Sequence, residues 1–287
     1  MQEPSVRTSR LAIAGGLAAI LVVGGGGFFL GRTTAPAPPA PAPVAVPAPA
    51  PAPVPETPKN LERGDLIALA QRASDAFASG ATMPKAVADA AGRPFELLLP
   101  FGCGGASEAG ASLPMQWRYD EAEGTLRVSV QPMMWSNADW NLEDRAEAGA
   151  AEGFWITRPW SSSTVCPARA GQAFPRGVEP LTLPGQTLAI AQFFGGEGDR
   201  DGRRNGRPFE TVTRVAADKF DGSRGFRLRI AGRLEAIAGN APVRCVQPAG
   251  AEQRPICVIG ARIDTVRLEN PTSEEVLATW TIGRSAQ

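Results

Sequence analysis

The chain has 287 residues, with 29 basic residues, 29 acidic residues and no histidine. The absence of histidine excludes Ser-His-Asp and Cys-His catalysis, histidine-ligated metals and imidazole pH switches. The net charge is zero, so the chain lacks the strong basic field of a nucleic-acid-binding protein. We therefore expect no nucleic-acid partner.

A long apolar run follows the first ten residues. Leu11 to Leu30 contains no charged residue and no proline. As a helix it would be about 30 Å long, the thickness of the hydrocarbon core of a bilayer. It therefore predicts a single transmembrane helix over residues 11–31, which contacts the lipid bilayer through residues 11–30. A cleaved signal peptide is the alternative, but the full length of the run and Pro36 soon after it favour an uncleaved anchor.

The orientation of this anchor follows from its short basic head, residues 1–10. Arg7 and Arg10 lie just before the apolar run and favour a cytoplasmic N-terminus. The rest of the chain is then predicted on the exported side of the membrane.

Residues 32–59 form a stalk rich in proline and alanine. Ala35 to Pro58 contains eleven Pro and eight Ala, with Glu56 as its only charge. Proline fixes φ and removes the amide donor, so neither helix nor sheet can propagate there. A polyproline II rod of about 3.1 Å per residue is expected. The segment is predicted to be a spacer.

Residues 60–287 are predicted to be an exported globular domain that contains disulfides. All four cysteines lie in it, and none forms a C-x-x-C motif. An even count on the exported side predicts two disulfides, for which we favour the pairs Cys103–Cys166 and Cys245–Cys257. The second pair flanks a Pro/Gly-containing segment that resembles a hairpin loop.

The domain begins with a helical pattern. Asn60 is a candidate cap and Gly80 a candidate end of the helix. Between them, apolar residues recur with the spacing of one helix face: Leu66, Leu69, Ala70, Ala73 and Phe77. A shorter helix is expected around Lys85 to Ala91.

Short strands follow this helical segment. Residues 114–131 alternate around a turn at 120–124 and predict a β-hairpin. Arg227 and Arg229 alternate with apolar neighbours and are predicted on the solvated face of a strand, and Gly260 is a candidate β-bulge. A compact apolar run lies at 95–101, and the other predicted strands lie at 154–160, 188–194, 226–230, 243–246, 256–268 and 276–282. The pattern predicts an α+β fold, mainly antiparallel β with an N-terminal helical segment.

Two residue clusters near the middle of the domain suggest sugar chemistry. Five tryptophans fall between 117 and 160, as in aromatic platforms that stack on sugar rings, but they also fit cross-strand pairs within a sheet, which we favour. A group of acids lies near two of these tryptophans: Asp139, Glu143, Asp144 and Glu147. They could form the carboxylate pair of a glycosidase, or they could belong to a solvated acidic segment.

Residues 195–208 form a Gly/Arg/Asp-rich segment. Asp199, Asp201 and Asn205 resemble calcium ligands but lack EF-hand spacing. The segment also carries four arginines that could contact an anionic group or a partner protein: Arg200, Arg203, Arg204 and Arg207. A solvent-exposed loop is the simplest interpretation.

These patterns predict a protein of the bacterial inner membrane, with a cytoplasmic N-terminus and a periplasmic C-terminal domain. We expect that domain to bind or scaffold an envelope protein or polymer. We expect no catalytic activity, no catalytic residues, and no metal or cofactor. The alternatives are an exported carboxylate-dependent hydrolase acting on cell-wall glycan, and a ligand-binding domain with a closed β cavity.

Overall fold

The computed structural model describes residues 59–142, 150–167, 187–194, 203–237 and 239–282. The helices are α1 (Arg63–Ala78), α2 (Lys85–Ala88) and a 3-10 helix (Ala138–Trp140). The strands are β1 (Pro94–Phe101), β2 (Met115–Asp120), β3 (Thr125–Val130), β4 (Met133–Ser136), β5 (Ala150–Trp155), β6 (Leu188–Phe193), β7 (Phe209–Arg214), β8 (Phe226–Leu234), β9 (Val243–Val246), β10 (Ile256–Asn270) and β11 (Glu275–Thr281).

The predicted anchor, residues 11–31, lies outside the described residues, as does the stalk up to residue 58. Among the helices that are described, none is long and apolar enough to cross a bilayer.

Helix α1 confirms the predicted periodicity over most of its length. Four of these five residues are buried, whereas Phe77, in the last turn, is 40% exposed. The cap is also different from the prediction: the Asp65 carboxylate accepts the Glu62 backbone N–H at 2.9 Å, so Glu62 and not Asn60 precedes the helix. Gly80 follows the helix with φ +66°, a conformation that favours glycine.

Most of the strands form one eight-stranded sheet around the long strand β10. Its first half pairs with β9 and, in parallel, with β6, while its second half pairs antiparallel with β8 and β11. Strands β1, β5 and β4 extend this sheet, and β2, β3 and β7 form a separate antiparallel sheet. The β-rich, mainly antiparallel fold with a helix near its start is confirmed.

The main core lies between these two sheets and helix α1. Alternate residues of β1 face it, as do those of β8, so each of these strands has one buried face. The small sheet contributes Trp117, Val128 and Phe209 to the same cluster.

Two strand predictions need correction, and two strands lack a prediction. The strand predicted at 154–160 ends at Trp155, because the chain turns at Arg158, which has φ +50°. Gly260 is not a bulge: the register of β10 shifts at 263–265 and at 268–269. An added Cβ at Gly260 would lie 2.4 Å from Ile237 Cγ1, so the glycine permits close packing. Strands β4 and β7 were not predicted.

The free edge of β1 is covered along its length. Leu61 forms a bridge with Phe95 at one end, and the Arg63 Nη1 donates to the Leu98 carbonyl oxygen at 3.4 Å in the middle. At the other end Cys166 Sγ lies 4.0 Å from the carbonyl oxygen of Phe101. Segment 157–167, which also binds Arg63, thus blocks an edge that could otherwise pair with another strand.

Both predicted disulfides are present. Cys103–Cys166 ties segment 157–167 to the loop after β1, and both of its cysteines are half-buried. Cys245–Cys257 joins directly opposite residues of β9 and β10 and is buried in the core.

Candidate functional site

Three of the four predicted arginines lie in a turn just before β7, which we call the arginine loop (residues 203–208). They are Arg203, Arg204 and Arg207. Arg200 lies outside the described residues, as do Asp199 and Asp201. Asn205 and Gly206 have φ of 55° and 72°, so the chain makes a left-handed turn there.

A buried carboxylate on β5 fixes the conformation of this loop. Glu152 is 6% exposed, and its Oε2 accepts the Arg204 backbone N–H at 2.9 Å. Its Oε1 accepts the Gly206 backbone N–H at 3.2 Å. Both carboxylate oxygens of Glu152 therefore accept hydrogen bonds from the loop backbone. A residue of β5, about fifty residues earlier in the chain, thus determines where the arginines lie.

Glu152 was missed in the sequence. Its signal is a single acid inside the otherwise apolar strand Ala150–Trp155. A charged residue is seldom fully buried unless it has partners, so such an acid predicts a specific contact but does not identify it.

The Arg204 guanidinium is held against the loop itself. Its Nε donates to the Arg207 carbonyl oxygen at 3.1 Å and its Nη2 to the Pro208 carbonyl oxygen at 2.8 Å. Its guanidinium carbon lies 4.2 Å from the centre of the Phe209 ring, in cation–π geometry.

The charge of Arg204 is only partly compensated. Burial and then the positive charge of Arg207 lower the pKa of Arg204, whereas Glu152 acts in the opposite direction. An arginine stays protonated at neutral pH, so a bound anion would relieve this unfavourable environment.

Arg203 is a second half-buried guanidinium in the loop. It lies 5.6 Å from the centre of the Phe194 ring, and its buried Nε has no hydrogen-bond partner within the described part of the chain. In that same part, none of the three arginines forms an ion pair with a carboxylate side chain. The loop thus presents guanidinium donors suited to a carboxylate or phosphate.

A small, open apolar notch adjoins the arginine loop. Its polar residues are Glu152, Gln192 and Arg204, and the Gln192 Oε1 accepts the backbone N–H of Ile263 at 3.0 Å. The notch is otherwise mainly apolar, with walls that include Phe154, Phe194, Phe209, Ile263 and Ile282.

The resemblance to a calcium loop gains no support from Glu210, the next acid along the chain, because Glu210 forms an ion pair with Arg127 at 3.0 Å. Across the described ranges, no group of three or more Cys, Asp or Glu residues is placed to hold a metal ion.

The predicted acidic cluster is described only at Asp139. Its carboxylate accepts the backbone N–H and the hydroxyl of Ser136, at 2.7 and 2.9 Å, and so stabilises a local turn. Glu143, Asp144 and Glu147 lie outside the described residues.

The five tryptophans do not form one exposed platform. Trp117 and Trp140 are buried, while Trp135 and Trp155 are half-buried and pack edge to face at 5.3 Å. Only Trp160 among these five is well exposed, at 60%. Trp135, Trp140 and Trp155 belong to a second apolar cluster on the face of the large sheet opposite the main core.

Comparisons with protein families, with curated proteins and with solved structures find no match for this chain.

Proposed function

We propose that this protein is a single-pass protein of the bacterial inner membrane, with its N-terminus in the cytoplasm and its C-terminal domain in the periplasm. In this proposal residues 11–31 anchor the chain, residues 32–59 hold the domain away from the lipid, and residues 60–287 bind or scaffold another envelope component without catalysis. The two disulfides support the proposal, since they are compatible with an oxidising compartment outside the cytoplasm.

The arginine loop is the observation that carries the binding function. Glu152 fixes the loop backbone and aromatic rings pack on Arg203 and Arg204, yet no carboxylate side chain of the described residues forms an ion pair with the loop arginines. Holding a partly desolvated cation without an ion pair is unfavourable, and an anionic group from a partner would compensate it. The bound component is then an envelope protein or polymer that carries carboxylates or phosphates.

The hydrolase alternative has less support. Asp139 is engaged in a turn, and four of the five clustered tryptophans are buried or packed on one another. A surface with an ordered cationic loop fits binding better than glycan cleavage.

Capture of partners from native membranes tests this proposal. The full-length chain is compared with the double variant Arg204→Gln/Arg207→Gln and with a control, Arg72→Gln/Arg93→Gln, which changes two exposed arginines elsewhere. We expect recovery of specific partners to fall about tenfold in the first variant, because each charge-assisted hydrogen bond contributes about 1.5–3 kcal/mol, and to persist in the control.

Equal recovery with both double variants would contradict the role of the arginine loop. Turnover of cell-wall glycan by the anchor-deleted domain, with no stable partner recovered, would favour the hydrolase instead.

A further inference from the structure

The free edges of β7 and β11 differ from the covered edge of β1. Pairing in an antiparallel ladder alternates, so every second residue turns its backbone N–H and C=O away from the partner strand. On β1 two of these outward positions are Pro94 and Pro100, which have no N–H. The outward groups of Glu96 and Leu98 are already bonded, to Leu61 and to Arg63.

Strand β11 has an open edge at Thr279 and Thr281. The Ile282 N–H donates to the Asp264 carbonyl oxygen at 2.8 Å, so the two threonines, which alternate with Ile282, direct their backbone groups away from β10. Within the described residues those groups form no hydrogen bond. Neither position carries the proline, lysine or bulge with which proteins commonly protect an edge.

The open edge of β7 lies close to that of β11. By the same alternation, Glu210, Val212 and Arg214 direct their backbone groups away from β3. Phe209 at the start of β7 packs edge to face on Trp280 of β11, with ring centres 5.2 Å apart. Val212 and Val276, one on each strand, are about half exposed, at 51% and 49%.

The notch and the arginine loop lie where these two strands meet. Ile282, which follows β11 directly, and Phe209 both line the notch, and Arg204 lies on its wall. An extended chain along β11 would therefore pass a site for an apolar side chain and, next to it, a cationic loop.

We propose that the open edge of β11 binds an extended polypeptide segment of an envelope partner as an added strand, with an apolar side chain of that segment in the notch and an acidic group on the arginine loop. Only a polypeptide presents donors and acceptors that alternate at the spacing of a strand, which a glycan or a lipid headgroup does not. The acidic contact rests on the proposed function, whereas the strand pairing stands on the geometry of β11 alone.

A displayed library of random eight-residue peptides, selected on the full-length chain in detergent micelles, tests this proposal. The affinity of enriched peptides is measured for the wild type, for Thr279→Pro and Thr281→Pro, and for the matched Thr279→Ala and Thr281→Ala. Proline removes one outward N–H and is tolerated at edge positions that face solvent. Two proline variants are used so that one remains if the other fails to fold, as judged by near-UV circular dichroism.

We expect enriched peptides with alternating β-branched residues, an affinity about tenfold lower for the folded proline variant, and little change for alanine. No enrichment, or equal binding by the proline variant, would overturn the added strand.

Arg204→Gln/Arg207→Gln separates this proposal from the proposed function. If peptide affinity falls in the proline variants but is unchanged in the arginine variant, the added strand is supported and the anionic contact is contradicted. If the arginines matter and the proline substitutions do not, the added strand fails.

Discussion

Arg63 is a buried cation whose partners are almost entirely backbone carbonyls. It is 1% exposed and donates to Leu98, Thr157, Arg158 and Ser161, all at carbonyl oxygens. Burial, together with the charge of Arg158, lowers its pKa to about 10, so it stays charged at neutral pH. Its role is to join α1, β1 and segment 157–167.

We expect Arg63→Met to lower the free energy of unfolding by about 3 kcal/mol, because several buried carbonyls lose a charged donor. Urea unfolding measures this change. Arg72→Met, an exposed arginine on the same helix, is the control and should cost no more than about 0.5 kcal/mol. Similar values for the two variants would show that Arg63 does not join these segments.

At the scale of single residues, the sequence predicts partners poorly. The cysteine pairs could be predicted, because few pairings of four cysteines exist. Glu152 and Arg63 could not, because each binds backbone atoms that are distant in sequence and that carry no residue-specific signal.

At the scale of elements, cross-strand ion pairs organise the outer face of the large sheet. Arg227 and Arg229 of β8 do face away from the core, but their side chains are only 11% and 22% exposed because both bind Glu269 of β10. Arg229 also binds Glu96 of β1. Three adjacent strands are thereby connected.

The titration of Glu269 gives this network a pH dependence. Burial acts to raise the pKa of Glu269, but hydrogen bonds and charge from Arg229 and Arg227 outweigh it and lower the pKa below its usual 4.5. A group whose pKa is lower in the folded state contributes stability above its unfolded pKa and loses it as the pH falls through its folded pKa.

We therefore expect the free energy of unfolding to fall on acidification below about pH 4.5, and to fall less in Glu269→Gln. At pH 7 this variant should be less stable by about 2–3 kcal/mol, because it leaves two arginines partly unpaired. Glu274→Gln, which removes an exposed partner of Arg227, should have little effect. Chemical denaturation across this pH range measures both, and an unchanged acid profile in Glu269→Gln would contradict the assignment.

Periodicity predicts some elements and misses others. The hairpin β2–β3 and the strand β8 alternate clearly and were predicted. Strand β4 has only four residues, and β7 has charged residues near both of its ends, Glu210 and Arg214, with the exposed Val212 between them. Pairing with distant strands creates both elements, and no local pattern contains that information.

At the scale of the whole molecule, the proposed topology separates the two ends of the chain by a membrane. In spheroplasts, we expect added protease to degrade the domain at 60–287 and to spare a tag fused before residue 1, because the anchor would place the tag in the cytoplasm. Immunoblots against the tag and the domain measure this. Protection of the domain in intact spheroplasts would contradict the orientation, and recovery of the domain without the tag in the soluble fraction would indicate cleavage.

The cover over the edge of β1 has a consequence for biogenesis. Because Cys103–Cys166 fastens segment 157–167 beside this edge, a newly made chain that is not yet oxidised holds its cover by non-covalent contacts alone. We expect Cys103→Ser/Cys166→Ser to form more aggregates during refolding than the wild type, as measured by light scattering. Equal scattering would show that Arg63 and Leu61 suffice to cover the edge of β1. If a disulfide-forming catalyst raises the refolding yield of the wild type alone, oxidation ends the period in which the chain can self-associate.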